Sequence, residues 1–306
     1  MQYGAMQLLS MFMTQRETQN HSAHTLDAYF RDITSFIDFC YARQLALMQV
    51  EGADLREYIA FKIEHDQLSS HSIQRHLSSI RQFMQWAKQG QYLQHNPSDD
   101  LQLKRQPRAL PGMIDVDTVL QILEQPAPEK AKDQALWLRD KAMLELLYSS
   151  GLRLSELQGL NLQDVDFQRR LIRVTGKGNK TRIIPFGEPA KKSLLAWLQI
   201  YPSWHVSLLP NSALFISQKA SRITPRQIEN RVKLQAKRAG VHVDLHPHLL
   251  RHCFASHLLA NSRDLRAIQE MLGHSNLSTT QIYTHIDFEH LAQVYDQAHP
   301  RAYKTD

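Results

Sequence analysis

Apolar positions recur at helical spacing through most of the chain. In "SAHTLDAYFRDITSFIDFCYARQ", Leu26, Tyr29, Phe30, Ile33, Phe36, Ile37 and Cys40 follow the i, i+3, i+4, i+7 stripe of an amphipathic helix. "SSHSIQRHLSSIRQFMQWAKQG" repeats the pattern through Ile73, Leu77, Ile80, Phe83 and Met84 and stops at Gly90. The opposite side of that segment carries Arg75, His76, Arg81 and Lys88, either a solvated face or one turned toward an anion. Near the N-terminus, "MQLLSMFM" has no Lys or Arg before Arg16 and no small-residue cleavage site after it. It reads as the start of a core helix rather than a secretory leader.

The helical pattern breaks at "NPSDDLQLKRQPRALPG", which holds three prolines, a glycine and the cluster Lys104, Arg105, Arg108. Such composition predicts an extended connection. The expected organisation is therefore a helical domain over 1–98, a linker over 99–112 and a second domain over 113–306. The second domain restarts near Asp115 and Asp117, both good N-cap types. It contains one clear hairpin: "RLIRVTGKGNKTRIIPFG" gives β-rich runs at 171–175 and 181–186 around the turn Gly176-Lys177-Gly178-Asn179. "LFIS", 214–217, predicts a further short strand. "TPRQIENRVKLQAKRAG" predicts a helix with Thr224 as N-cap, Pro225 at its first position and Gly240 beyond its end. That helix carries Arg226, Arg231, Lys233, Lys237 and Arg238, either as a solvated face or for insertion into a nucleic-acid groove.

Composition narrows the partner. The net charge is +6, divided unevenly: residues 1–100 hold 8 basic against 11 acidic side chains, and residues 101–306 hold 28 against 19. A grip on a polyanion is thus expected mainly in the second domain. Two distant cysteines, Cys40 and Cys253, suggest neither a disulfide framework nor a metal knuckle. No apolar run approaches the roughly 20 residues of a membrane span, so a soluble, cytoplasmic protein is expected.

Candidate chemistry is concentrated in three segments and one turn. "HPHLLRH" sets His248 and Arg251 one helical turn apart on one face. "SSGLRLSEL" presents Arg153 just after Gly151, a helix terminator, with Glu156 three residues on. "MLGHSNLSTTQIYTH" ends a helix at Gly273, exposes His274, and restarts with Ser278 and Gln281 spaced as a capping box. Tyr283 then falls in the second turn of that new helix, where the dipole and free N–H groups favour an anion. Each piece alone reads as an ordinary surface, turn or packing residue.

Taken in order, Arg…Lys…His-x-x-Arg…His…Tyr resembles the tyrosine recombinases of the phage-integrase family, over nearly the whole chain. Within that family, "LHPHLLRH" and "LGHSNLSTTQIYTHIDFEHLAQVYDQAHPRA" are similar to the bacterial Xer recombinases. The resemblance implies a mainly α protein: an all-α, SAM-like core-binding domain followed by an α-rich catalytic domain with a small antiparallel sheet. It implies Tyr283 as nucleophile, Arg153 and Arg251 as clamps on the scissile phosphate, and Lys177 as general acid for the leaving 5′-hydroxyl. His248 and His274 would assist proton transfer, and Glu156 would support the site. DNA contacts would come from Arg75, Arg81, Arg222, Arg226 and Arg231. No cofactor or metal is implied.

The expected partners are double-stranded DNA at a dif-type site, a XerD-type paralogue in a heterotetrameric synapse, and the FtsK translocase. Phe288, Leu291, Val294 and Tyr295 form an apolar stripe that either packs within its own domain or, as the family implies, is donated to a neighbour. Leu249 and Cys253 depart from the family's usual residue types without removing a catalytic group. Rival readings are a type IB topoisomerase-like enzyme and a non-catalytic DNA-binding module of the same fold.

Overall fold

The computed structural model describes residues 4–19, 21–99, 101, 114–176, 181–204, 209–262, 264–272 and 285–302. The chain divides into two compact units, Met1–Pro107 and Arg108–Asp306. The expected connection at 99–112 falls largely outside the described residues.

The first unit is built from α1 (Ala5–Thr18), α2 (Ala23–Ala42), α3 (Gly52–Glu64) and α4 (Ser70–Gln89). Ser22 and Ser69 cap α2 and α4 by accepting from the N–H groups of Thr25 and Ser72, each at 3.3 Å. Each such cap stabilises a helix start by about 1 kcal/mol. The apolar stripes meet in one core of Leu8, Phe12, Ile33, Phe36, Leu77 and Phe83, among others. Two positions depart from the stripe. Phe30 is 49% exposed, while its neighbour Tyr29 packs against Phe12. His76, expected on the polar side, is buried. Its Nδ1 lies 3.0 Å from the Tyr58 hydroxyl, and its Nε2 lies 3.4 Å from the buried carboxylate of Asp32. Desolvation, opposed by Asp32, lowers the His76 pKa.

The second unit contains α5 (Val116–Leu123), α6 (Ala131–Ser150) and α7 (Leu154–Gly159). The strands β1 (Val165–Asp166), β2 (Leu171–Thr175) and β3 (Thr181–Pro185) follow. The unit closes with α8 (Glu188–Ile200), α9 (Pro225–Arg238), α10 (Pro247–Asn261), α11 (Leu265–Leu272) and α12 (His285–Ala298). The C-terminal half of α6 is buried nearly all round, as a helix at the centre of a domain must be. It packs against α8 and α10. The strands form one antiparallel sheet in the order β1-β2-β3, with Leu171 opposite Pro185 and Thr175 opposite Thr181.

The expected antiparallel strand pair of the hairpin is present, with its turn residues 177–180 outside the described residues. The expected strand at 214–217 is not: Ile216 makes a single bridge to Arg222. There the chain reverses at once, with Ser217 N–H donating to Ser221 O at 2.7 Å and Ala220 at φ +54°. β1 is too short, at two residues, to show a period. Asp115 caps α5 by accepting from Thr118 N–H at 2.7 Å. Thr224 caps α9, as expected, accepting from Gln227 N–H at 3.2 Å. Among the described residues, no helix is long and apolar enough to cross a membrane. The mainly helical architecture with a small antiparallel sheet matches the expected fold class.

Candidate active site

The site begins where α6 ends. Gly151 adopts φ +58°, a conformation natural to glycine. A Cβ there would also lie 2.3 Å from the Phe254 ring. The turn frees the Gly151 carbonyl and delivers Arg153 to the N-cap position of α7. Glu156 reaches back across that first helical turn. Its Oε2 accepts from Arg153 N–H and its Oε1 from Arg153 Nη1, both at 2.8 Å. The Glu156 side chain is 1% exposed, and that of Arg153 is 41% exposed.

Arg251 reaches the same place from α10. Its Nη1 donates to Gly151 O and its Nη2 to Leu272 O, each at 2.5 Å, joining the ends of α6 and α11. Nη1 also stands 3.9 Å from Glu156 Oε2. Burial, then the neighbouring Arg153 charge, pulls the Arg251 pKa down to about 10, with Glu156 opposing. The guanidinium therefore stays charged at neutral pH. α10 itself starts with Pro247 behind His246, whose Nδ1 accepts from Leu249 N–H at 3.1 Å. His248 follows in the first turn, exposed, with its ring stacked at 10° on that of His246. Partial desolvation and then the charges of His246, Arg251, His252 and Arg153 lower its pKa.

A third guanidinium completes the cluster, and the sequence reading passed over it. Arg182 on β3 donates from Nη1 to Glu156 Oε1 at 2.7 Å and from Nη2 to Oε2 at 2.9 Å. Burial alone would raise the Glu156 pKa. The hydrogen bonds and charge of Arg182, followed by those of Arg153, outweigh it and hold the carboxyl at about 2. One signal for Arg182 was available. It stands two residues before Ile184, and period-two alternation puts both on the buried face of β3.

One carboxylate surrounded by three guanidiniums leaves a local excess of two positive charges. That is an environment for a phosphodiester, whose charge grows as it is attacked. Arg153, Glu156 and Arg251 are thus brought together, with His248 one turn before Arg251. Lys177, His274 and Tyr283 lie outside the described residues. Among the described residues, no group of acidic, histidine or cysteine side chains is arranged to hold a metal.

The five basic residues singled out for DNA are distributed differently. Arg75 Nη1 donates to both oxygens of the buried Asp32, at 2.7 and 2.8 Å. Arg81 Nη2 donates to the carbonyls of Ser98 and Leu101 at 3.4 and 3.2 Å. Arg222 holds the carbonyls of Gln158 and Leu160 and the Asn161 side chain. Arg231 Nε donates to the buried Asp140 at 2.5 Å, beside Arg139 and Gln235, which bond the same carboxylate. Arg226 projects from α9 with its side chain 83% exposed.

The C-terminal stripe packs within its own unit. Leu291, Val294 and Tyr295 join the core, while the Phe288 side chain lies outside the described residues. Beyond α12, Arg301 is paired with the buried Glu145 and with Glu124. Its carbonyl approaches so closely that a Cβ on Gly187 would lie 1.7 Å away.

Comparison with known proteins defines the class. Residues 113–290 match the phage integrase family, and residues 13–91 match the phage integrase N-terminal SAM-like domain. The chain belongs to the phage integrase family, the tyrosine recombinases, enzymes that break and rejoin DNA strands.

Among its relatives are XerC proteins. Tyrosine recombinase XerC of Pseudomonas syringae pv. tomato is 44% identical over 288 residues, covering 94% of this chain and 93% of the relative. XerC of Stutzerimonas stutzeri is 45% identical over 289 residues, covering 94% and 93%. In fold, the chain resembles the XerH site-specific recombinase bound to difH substrate in a pre-cleavage complex. That match has a TM-score of 0.63 and 22% identity, covering 95% of this chain and 84% of that one.

Proposed function

We propose that the protein is a XerC-type site-specific recombinase that cuts and rejoins double-stranded DNA through a 3′-phosphotyrosyl intermediate. The observation that carries this reading is the convergence of Arg153 and Arg251 on Glu156. Two guanidiniums stand side by side there, which supports their reading as a clamp on a scissile phosphate. Tyr283 attacks the phosphorus and displaces the 5′-oxygen. The tyrosine proton leaves with help from a histidine, His248 or His274, and Lys177 protonates the departing 5′-oxygen, giving a 5′-hydroxyl. Arg153 and Arg251 offset the charge gained on the non-bridging oxygens, a contribution of about 3–4 kcal/mol per donor. Tyrosine's ordinary pKa of about 10 makes nearby cations necessary for the attack. The phosphotyrosyl ester retains the energy of the broken bond, so a DNA hydroxyl reverses the step without ATP.

In the same reading, the 1–98 domain and the 113–306 domain bind the duplex, joined through 99–112. Arg226 on α9 contacts DNA directly, while Arg75, Arg81, Arg222 and Arg231 brace the surfaces that do. The target is a dif-type site and the protein acts in the cytoplasm. XerD completes a heterotetrameric synapse under control of FtsK. Identity of 44–45% to XerC proteins across nearly the full chain supports this assignment.

The test is a nicked suicide duplex carrying a dif-type site. The wild-type chain should become covalently attached to it, and the attached peptide should contain Tyr283. Tyr283→Phe should bind the duplex without attachment. Attachment through another residue, or cleavage abolished by EDTA, would overturn the reading.

A further inference from the structure

Arg182 spends its whole guanidinium inside the protein. Nη1 and Nη2 each take one oxygen of Glu156, Nε donates to Met271 O at 2.9 Å, and the side chain is 8% exposed. With those commitments it does not face a bound phosphate. Its effect on chemistry must pass through what it holds. We propose that Arg182 is a positioning residue for strand cleavage: by engaging both oxygens of Glu156 it fixes that carboxylate and keeps it from drawing Arg251 away from the scissile phosphate. The inference rests on Arg153 and Arg251 being the phosphate ligands.

The physical basis is competition for one negative charge. The planar fork of an arginine matches a carboxylate in two parallel hydrogen bonds, the strongest pairing available to it. Arg182 has that pairing. Arg153 gives its backbone N–H to one oxygen and Nη1 to the other, and Arg251 stands just beyond bonding reach at 3.9 Å. Without Arg182, the buried carboxylate lacks its principal partner in a site of low dielectric. Arg153 is already bonded to it, and the guanidinium left to close in is Arg251, at 3.9 Å. A closer pair there would use donors meant for substrate.

A second route leads to the same side chain. Met271 O, which accepts from Arg182, and Leu272 O, which accepts from Arg251, are consecutive carbonyls at the end of α11. β3 and Arg251 are thus tied to one helix terminus. Moving the strand disturbs the clamp from two directions.

The experiment uses the full chain and the nicked dif-type duplex. It measures the single-turnover rate of covalent attachment at saturating protein, the Kd for the duplex, and Tm. Arg182→Met should lower the attachment rate about 100-fold, the scale of a 1 Å misplacement, with little change in Kd. Arg182→Lys, which keeps the charge but cannot span two oxygens, should show the same pattern to a smaller degree. The decisive variant is Arg182→Met combined with Glu156→Gln. A neutral side chain does not capture Arg251, so the double variant should react faster than Arg182→Met alone.

A purely structural role would shift Kd and Tm together and give single-variant losses that multiply in the double variant. That result overturns the inference, as does a folded Arg182→Met that reacts at the wild-type rate. Where Arg182→Met fails to fold, an undiminished rate in Arg182→Lys is equally damaging. The underlying reading fails separately: Arg153→Ala and Arg251→Ala variants that cleave normally would remove it, whatever Arg182 does.

Discussion

Replacing Glu156 by glutamine removes one proton's worth of charge from a site where three guanidiniums meet. The carboxyl is held at about 2 in the folded chain against an ordinary 4.5. Each pKa unit corresponds to about 1.4 kcal/mol, so the charged form stabilises the fold by about 3 kcal/mol. The sign follows from the lowered value. Stability from Glu156 is present in full above pH 4.5 and drains away as the pH falls toward 2. At pH 7, Glu156→Gln should therefore lose about 3 kcal/mol, or about 6–12 °C in Tm for a domain of this size. The gap to wild type should narrow below pH 4.5 and nearly close by pH 2. Urea denaturation followed by tryptophan fluorescence, repeated across that range, reads both quantities. Trp197, buried in the second unit, reports on the relevant transition. A variant as stable as wild type at pH 7, or a gap that stays constant down to pH 2, would refute the electrostatic account of this cluster.

Other consequences are open to direct measurement. Gly151→Ala combines a positive φ with a collision against Phe254; it should cost at least about 1–3 kcal/mol in chemical denaturation and slow covalent attachment by displacing Arg153. Arg301→Met leaves Glu145 buried without its main partner; it should destabilise the second unit by about 3–5 kcal/mol and expose the C-terminal segment to limited proteolysis. The lowered pKa of His248 keeps its imidazole neutral through neutral pH. Cleavage that depends on it should hold as the pH falls through 6.5 and decline only below, and His248→Gln should flatten that limb of the pH–rate profile.

Local patterns were legible in the sequence, and long-range charge pairing was not. The caps at Asp115 and Thr224, the hairpin over 171–186 and the one-turn spacing of His248 and Arg251 all depend on neighbours within a few residues. Periodicity and turn chemistry report on that range. Arg182 and Glu156 are 26 residues apart, and nothing local distinguishes an inward arginine on a strand from an outward one except its register with Ile184. Asp32 and His76 were hidden in the same way, because a buried polar network breaks the alternation that marks a core. The partners of basic residues were illegible for a related reason. Charge sums give sign and region, but Arg222 and Arg231 are committed to carbonyls and to Asp140. For the C-terminal stripe, spacing identified an apolar face without its destination, which the structure gives as the chain's own second unit.

Arg251 grips the last carbonyls of two helices and, in the proposed function, also holds the scissile phosphate. Deleting its side chain would do two kinds of damage at once, loosening the frame and blunting the reaction. Alanine substitution at this position therefore measures the sum of both losses, and the larger the observed defect, the less of it can be credited to chemistry alone. Graded substitutions that keep one carbonyl bond while changing reach or charge are the cleaner instrument here, and this holds wherever a reagent side chain doubles as a fastening of the scaffold that presents it.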